Sequence, residues 1–215
     1  MKKQKKIFLK FEANNFYKRN IKRLSNVNYE KHQIFIELKN YLKKNKKKIN
    51  LLEVGCCDAG LINYISKNFK NTKCNGIDPS LLAINSKKNL DLNLKVSTAD
   101  DLPFKNSSFD ILIYNFCLYL SDDEDLFNII YEANRVVKKN GLLFIYDFYH
   151  KNTKYVKYIH RKGIYSRKMD YSKLFLWHPK YELIKIKKFK HKNKNVDFKN
   201  KNLNETRLYI IKKNI

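Results

Sequence analysis

The chain has 215 residues, 43% of them hydrophobic, and carries 46 lysines and arginines against 20 acidic residues, for a formal net charge of +26. That length and apolar content suit one folded domain with a substantial buried core, and exclude both a disordered tail and a pair of ordinary domains. No apolar run reaches the ~20 residues a membrane span needs.

The first residues, Met1-Lys2-Lys3-Gln4-Lys5-Lys6, are basic like the start of a signal peptide. The apolar stretch behind them, residues 7–9, is far too short for one, so a cytoplasmic protein is expected. Four cysteines, Cys56, Cys57, Cys74 and Cys117, include no CxxC pair. Reduced core thiols are expected, with no metal site and no disulfide framework. Only six of the 46 basic residues are arginine, the residue that makes bidentate contacts to phosphates and bases. The lysine excess, densest at residues 43–48 and 185–194, is expected to be general solvated surface; RNA is the alternative partner it raises.

In chain order, residues 1–27 are polar with scattered aromatics (Phe8, Phe11, Phe16, Tyr17). Residues 28–44 set Ile34, Phe35, Leu38, Tyr41 and Leu42 at helical spacing. Residues 49–55 read as a buried strand, 59–69 as a helix (Leu61, Ile62, Ile65, Phe69), 74–77 as a second strand ending at Asp78, 80–88 as a second helix and 92–96 as a third strand. Residues 109–114 form a fourth. Ser121 and Glu124 have capping-box spacing and predict a helix start. Asp122, Asp123 and Asp125 would complement the dipole there, Lys138 and Lys139 would do so at the far end, and Asn140-Gly141 would stop it. Residues 142–146 are a fifth strand. Such alternation predicts right-handed βαβ units and a parallel sheet covered on both faces. Residues 148–180 are aromatic and polar with little periodicity. Strand candidates at 181–190 and 206–212 fit a terminal hairpin. The expected fold is α/β, a Rossmann-like three-layer sandwich with a mostly parallel seven-stranded sheet whose last strands form an antiparallel edge hairpin.

The sharpest motif joins the first strand to the first helix: Leu51-Leu52-Glu53-Val54-Gly55-Cys56-Cys57-Asp58-Ala59-Gly60. Ligands of open α/β sheets sit outside the carboxyl ends of the strands. Small residues there let backbone approach a ligand, and a helix N-terminus offers N–H groups to a carboxylate. Glu53 is placed to face an ammonium and Asp78 to take a ribose diol, which matches S-adenosylmethionine (SAM). NAD is the competing ligand, but G-x-G-x-x-G is absent, since Cys57 follows where its second glycine would stand. No G-x-x-x-x-G-K-[ST] loop is present.

These residues resemble class I SAM-dependent methyltransferases, the small single-domain bacterial type akin to methyltransferase type 11, over about residues 50–147. Glu53-Val54-Gly55-Cys56-Cys57-Asp58-Ala59 is similar to the family's first motif, and Ile77-Asp78-Pro79-Ser80 to its ribose-binding segment. Thr98-Ala99-Asp100-Asp101-Leu102-Pro103-Phe104 with Ser108-Phe109-Asp110 is similar to its adenine-side loop. Arg135-Val136-Val137-Lys138-Lys139-Asn140-Gly141 resembles the segment before the fifth strand. The resemblance implies SAM as cofactor, held by Glu53, Gly55, Cys56, Cys57, Asp78, Pro79, Thr98, Ala99, Asp100, Asn115 and Tyr17. Cys57 and Ala59 replace usual glycines, Thr98 replaces an acidic residue common at the adenine amine, and Lys139-Asn140 replace a usual Pro-Gly. A narrower likeness, in Phe16-Tyr17-Lys18-Arg19-Asn20, Asn115-Phe116-Cys117-Leu118-Tyr119-Leu120 and Lys168-Met169-Asp170-Tyr171-Ser172-Lys173-Leu174-Phe175, points to a subgroup associated with surface-polysaccharide or sugar modification.

The resulting expectation is one domain over 1–215: an N-terminal helical cap (1–48), a cofactor-binding core (49–147), an acceptor lid (148–180) and an edge hairpin (181–215). Methyl transfer demands alignment first and a base where the acceptor must lose a proton. His150 is the candidate base and Asp147 its catalytic companion, with Asn115 and Tyr149 nearby. No Asn-Pro-Pro-Tyr block follows the fourth strand, which turns the expectation from amide or amine acceptors toward O-methylation of a small-molecule or glycan-precursor substrate. An RNA methyltransferase and a non-catalytic SAM-binding protein are the competing readings.

Overall fold

The computed structural model describes residues 4–191 and 203–214. The apolar runs become strands: β1 (Ile49–Val54), β2 (Thr72–Asp78), β3 (Asn93–Val96), β4 (Phe109–Asn115) and β5 (Val137–Phe148). They pair in parallel in the order β3-β2-β1-β4-β5. The chain starts in the middle of this sheet, runs outward to β3, then crosses back to β4. The order therefore reverses between β1 and β4, and the carboxyl ends there form the crevice where open α/β sheets bind ligands. Two later strands, β8 (Tyr181–Lys190) and β9 (Glu205–Lys213), extend the sheet antiparallel, with β9 on β5 and β8 at the edge. The expected three-layer α/β sandwich with its antiparallel edge hairpin is the fold observed.

Alternating side chains of each strand feed two cores. On one face Leu51, Ile111, Ile113 and Phe144 pack with α3 (Gln33–Lys44) and α4 (Gly60–Asn68) through Ile34, Leu38, Ile62 and Ile65. On the other, Leu52, Leu112, Leu143 and Tyr209 meet α6 (Leu126–Val136) and Phe175 of α7 (Lys173–Leu176), with α5 (Leu81–Asn85) following β2 on the first face. The N-terminal residues form α1 (Gln4–Ile7), a π-helical turn (Phe8–Glu12) and α2 (Ala13–Ser25). Among the described residues no helix is long and apolar enough to cross a membrane.

Two sequence expectations are corrected. The capping box at Ser121 and Glu124 does not form. Ser121 Oγ turns back to the Leu118 carbonyl (2.7 Å), closing a 3-10 turn over Leu118–Leu120, and α6 begins only at Leu126. Asn140-Gly141 does not stop a helix either. Val136 hands directly to Val137 of β5, and the dipeptide sits inside that strand, where the register against β4 shifts. Asn140 is left-handed (φ 63°), so the turn chemistry is spent on a bulge. Lys138 accordingly serves Asp110 (2.9 Å to each carboxylate oxygen) and not a helix dipole.

Residues 148–180, which lack periodicity, fold as a hairpin of β6 (Lys154–Lys157) and β7 (Tyr165–Lys168) followed by α7. A buried arginine holds this segment. The Arg167 guanidinium donates to the carbonyls of Leu118 and Ser121 (3.1 Å each) and to Ser121 Oγ (2.9 Å), and pairs with Asp123. At the sheet edge Lys185 and Lys187 of β8 pair with Glu37 of α3, and lysines on an edge strand discourage pairing with other chains. Residues 192–194 of the basic run 185–194 lie outside the described residues.

At the amino ends of the strands, asparagines set the register. Asn93 Nδ2 donates to Asn75 Oδ1 (2.8 Å), and Asn75 Nδ2 donates to Asn50 Oδ1 (2.8 Å) and the Leu51 carbonyl (3.0 Å), linking β3, β2 and β1. Asn75→Ala should therefore cost about 2–3 kcal/mol, the scale expected when buried partners lose their hydrogen bonds. Denaturant unfolding should show a lower midpoint with an unchanged slope.

Candidate cofactor site

The loop after β1 is built from left-handed backbone. Gly55, Cys57 and Ala59 have φ of 72°, 47° and 55°. Gly55 is required by space as well as by dihedral, because a Cβ there would lie 2.6 Å from Cys117 Cβ on the loop after β4. Cys57 and Ala59, which replace the family's usual glycines, hold the same left-handed conformation at a cost of roughly 1–2 kcal/mol each. Asp78 fixes the loop. One of its carboxylate oxygens accepts from Cys57 N (2.8 Å) and the other from Ser80 N (2.8 Å), so a single side chain ties the β1 and β2 turns together. Gly55 N and Cys56 N both donate to the Ile77 carbonyl (2.8 and 2.9 Å).

Glu53, at the carboxyl end of β1, is buried at 2% exposure. Oε1 accepts from Asn115 Nδ2 (3.3 Å), whereas Oε2 and Asn115 Oδ1 have no hydrogen-bond partner. Burial raises the Glu53 carboxyl to about 8, the Asn115 hydrogen bond opposing it and the charges of Asp58 and Asp78 adding to it. Burial likewise lifts Asp78 to about 6 against the two backbone N–H groups it accepts. An acidic group buried with an unsatisfied oxygen beside two more carboxylates is a receptor for a cation.

Beside these groups lies a cleft enclosing about 880 Å³, its solvent-open mouth included. Val54, Gly55 and Cys57 line it from β1, Asp78 and Pro79 from β2, Thr98, Ala99 and Asp100 from the loop after β3, and Phe116, Cys117 and Tyr119 from the loop after β4. The site residues read from the sequence thus fall into groups. Gly55, Cys57, Asp78, Pro79, Thr98, Ala99 and Asp100 share the cleft wall. Glu53 and Asn115 meet each other behind it. Cys56 is buried beneath, where its sulfur would lie 2.7 Å from a Cβ on Gly76. Tyr17 is buried on α2, its hydroxyl bonded to Ser86 Oγ (2.8 Å), and it does not line the cleft.

The structure does not bring His150 or Asp147 to the cleft wall. His150 is turned to Asn152 and lines a second, open groove with Tyr149, Lys151, Lys188, Lys190 and Glu205. Asp147 is fully buried and accepts three backbone N–H groups, from Leu118 (2.9 Å), Tyr119 (3.3 Å) and Phe148 (2.8 Å). Burial raises it to about 7 despite those donors. It caps the turn after β4.

Several cleft residues escaped the sequence reading. Lys5, Phe8, Leu9, Ala13 and Phe16 form a wall from the N-terminal helices, and Phe116 lines the cleft from the loop after β4. Phe116 is left-handed (φ 51°), a genuine outlier for a bulky residue. Its ring packs on Tyr146 (4.6 Å), Phe148 (5.2 Å) and His191 (5.6 Å). The spaced aromatics Phe8 and Phe16 were the visible signal for the first wall; nothing local marks the second.

The residues fit SAM. The unpartnered Glu53 oxygen complements an ammonium, and Asp78, lining the cleft at the end of β2, complements a diol.

A model of a methyltransferase domain matches residues 52–145. No curated protein matches the chain in sequence. Among solved structures, a SAM-dependent methyltransferase from Methanosarcina mazei superposes with a TM-score of 0.66 at 16% identity, covering 83% of this chain and 97% of its own. A 1,6-didemethyltoxoflavin-N1-methyltransferase from Burkholderia thailandensis, bound to 1,6-didemethyltoxoflavin and S-adenosylhomocysteine, gives 0.71 at 10% identity over 99% and 90%. A putative methyltransferase in complex with the Haloferax volcanii Trm112 activator gives 0.63 at 15% over 97% and 98%. At these identities the structural likeness establishes the fold.

The raised carboxyls generate a prediction. An acid whose folded value is raised stabilises the protein fully below its unfolded value and loses that contribution as pH rises through the folded one. For Glu53 the window runs from its ordinary 4.5 to about 8. Glu53→Gln should therefore raise the thermal midpoint of the ligand-free protein at pH 8, and Asn115 Oδ1 stands ready to accept from the new amide. The same variant should weaken S-adenosylhomocysteine binding by about 1.5–3 kcal/mol, the scale of a hydrogen bond to a charged group. Calorimetry of the wild type at pH 7 in buffers of different ionisation enthalpy should show net proton release on binding, since a ligand ammonium ionises a carboxyl that is mostly protonated beforehand.

Proposed function

We propose that this chain, a class I SAM-dependent methyltransferase whose family domain spans residues 52–145, methylates a hydroxyl of a small-molecule or carbohydrate-linked acceptor. The observation that carries the reading is the buried, half-unsatisfied Glu53 carboxyl just behind the cleft wall that Gly55, Cys57 and Asp78 share. A pyrophosphate cofactor would keep Glu53 protonated and find no charge partner there, whereas an ammonium ionises the carboxyl and pairs with it.

SAM, when bound, supplies a methyl group on a sulfonium, already activated for in-line displacement. The protein's part is binding and alignment. Glu53 orients the ammonium, with Asn115 holding the carboxylate in place. Asp78 receives the ribose hydroxyls while keeping both loops in register. Thr98, Ala99 and Asp100 flank the adenine. The acceptor approaches from the side of Phe116, whose ring presents a flat apolar face and keeps water from the reacting carbon. Asp147 acts by holding the Leu118 and Tyr119 backbone that follows Phe116, a positioning role. His150, in its separate groove, is outside this scheme, and a hydroxyl acceptor's proton leaves to solvent.

A small acceptor is favoured over RNA by the arginines. All six have intramolecular partners: Arg19 pairs with Glu12, Arg23 with Asn20, Arg135 with Glu132, Arg167 with Asp123, Arg207 with Glu205, and Arg161 stacks over the Phe11 ring. Most of the side chains best suited to read phosphates and bases are engaged within the fold, with Arg19 and Arg23 the exposed ones. The Burkholderia relative in fold acts on a small heterocycle, which agrees with this choice of acceptor size.

The test is methyl-labelled SAM incubated with the protein and a cell extract, followed by fractionation. Label is expected in the small-molecule or glycan-precursor fraction and absent from RNA, with the new methyl on oxygen. Calorimetry should give heat for S-adenosylhomocysteine and none for NAD. Label in one RNA species at physiological salt would replace the acceptor assignment, and NAD binding without S-adenosylhomocysteine binding would overturn the cofactor.

A further inference from the structure

Residues 4–16 lie outside the methyltransferase match, yet five of them line the cleft. They are attached on both sides of it. On the β2 side, Asn14 Oδ1 accepts from Ser80 Oγ (2.8 Å) and Leu82 N (3.2 Å), two and four residues after Asp78. On the β4 side, Gln4 pairs through its amide with the Leu120 carbonyl (2.9 Å) and Tyr165 N (2.9 Å), and Lys5 N donates to Asp122 (3.1 Å). The segment therefore spans the mouth as a strap.

Its two attachments differ. The Asn14 end belongs to α2, whose Ala13 and Tyr17 are buried. The Gln4 end is a four-residue helix with no buried side chain. Between them lies the π-helical turn Phe8–Glu12, a wide and rarely sustained conformation that recurs at functional sites. Phe8 and Leu9 of that turn face the cleft, so it is the ligand-facing part of the strap that departs from α-helical geometry.

The polar end closes on one cation. The Lys5 ammonium is paired with Asp100, a wall residue of the cleft, and lies 3.8 Å from Asp125 at the start of α6. Asp100 belongs to the loop on the adenine side. Lys5 thus joins the strap to the residues that would hold the base.

We propose that residues 4–16 are the second wall of the cofactor site and that Lys5 is its positioning residue, latching the strap shut across the adenosine through Asp100 and Asp125. This rests on the SAM reading of the cleft. Entry and exit of the cofactor require the latch to open. The pair is part-exposed, with Lys5 at 29% and Asp100 at 13% side-chain exposure, so salt weakens it. The anchors at Asn14, through neutral hydrogen bonds, and at buried Tyr17 do not share that sensitivity.

The experiment measures dissociation of S-adenosylhomocysteine from the full chain by surface plasmon resonance, at about 0.05 M and about 0.5 M salt, a range over which the Debye length falls severalfold. The wild type should release the ligand about fivefold faster at high salt, the scale of one or two part-exposed ion pairs. Lys5→Met should release it about fivefold faster at low salt and lose the salt response, while Lys5→Arg restores both. In parallel, tryptic cleavage at exposed Lys10 should be slowed by S-adenosylhomocysteine in the wild type and much less in Lys5→Met. A Lys5→Met protein that binds with wild-type dissociation rate and salt response overturns the latch. A wild type that does not bind S-adenosylhomocysteine at all overturns the cofactor reading and the latch with it, a result distinct from the former.

Discussion

The site depends on one buried carboxylate that organises backbone. Asp78 accepts the N–H groups of Cys57 and Ser80, so the turns after the first two strands cannot move independently. That constraint keeps Gly55, Cys57 and Ala59 left-handed although two of the three carry side chains. It also places the helix start at Ser80, whose hydroxyl caps Ala83 N and reaches Asn14 of the N-terminal helix. Removing Asp78 would therefore release a loop, a helix cap and an N-terminal anchor together.

The carboxyl ends of the strands gather acidic groups that burial disfavours when charged. Glu53, Asp78 and Asp147 are all raised well above ordinary carboxylates, chiefly by removal from water. They are offset differently. Asp147 has three backbone donors and serves the fold. Asp78 has two and retains lone pairs toward the cleft. Glu53 has one weak partner and an oxygen with none. This gradient, from satisfied to unsatisfied, sets Glu53 apart from the two carboxylates that hold backbone, by hydrogen-bond accounting alone.

The high positive charge reads differently once partners are counted. Four of the six arginines are held in ion pairs, most completely Arg167, which at 2% exposure holds the β6–β7 hairpin against the turn after β4. The lysines remain mostly at the surface. A chain of net charge +26 attracts polyanions through such a surface at low salt whatever its function. Specific reading of a nucleic acid needs donors in fixed geometry, and of the arginines that supply them only Arg19 and Arg23 stand exposed, each with a partner on or beside its own helix.

The sequence by itself determined the order and kind of the central elements, because period-2 and period-3.6 patterns and the small-residue turn at Gly55 are local consequences of how strands, helices and tight turns bury side chains. It also marked Glu53 and Asp78, since a carboxylate at the end of a buried strand has a place defined by the strand itself. Local chemistry misled at Ser121 and at Asn140-Gly141, where a cap and a stop signal were taken up by a 3-10 turn and a bulge under the pull of sheet pairing. It assigned Asp147 and His150 by nearness in sequence to the fifth strand, and only the folded chain separates them, one capping backbone and one in another groove. An N-terminal cap was legible, with the spaced aromatics Phe8 and Phe16 as its signal, but not the contacts that fasten it. Lys5 meets Asp100 across 95 residues and Glu53 meets Asn115 across 62. Contacts at such separation leave no periodicity or turn signal behind, because they exist only once the sheet has brought distant loops to a common edge.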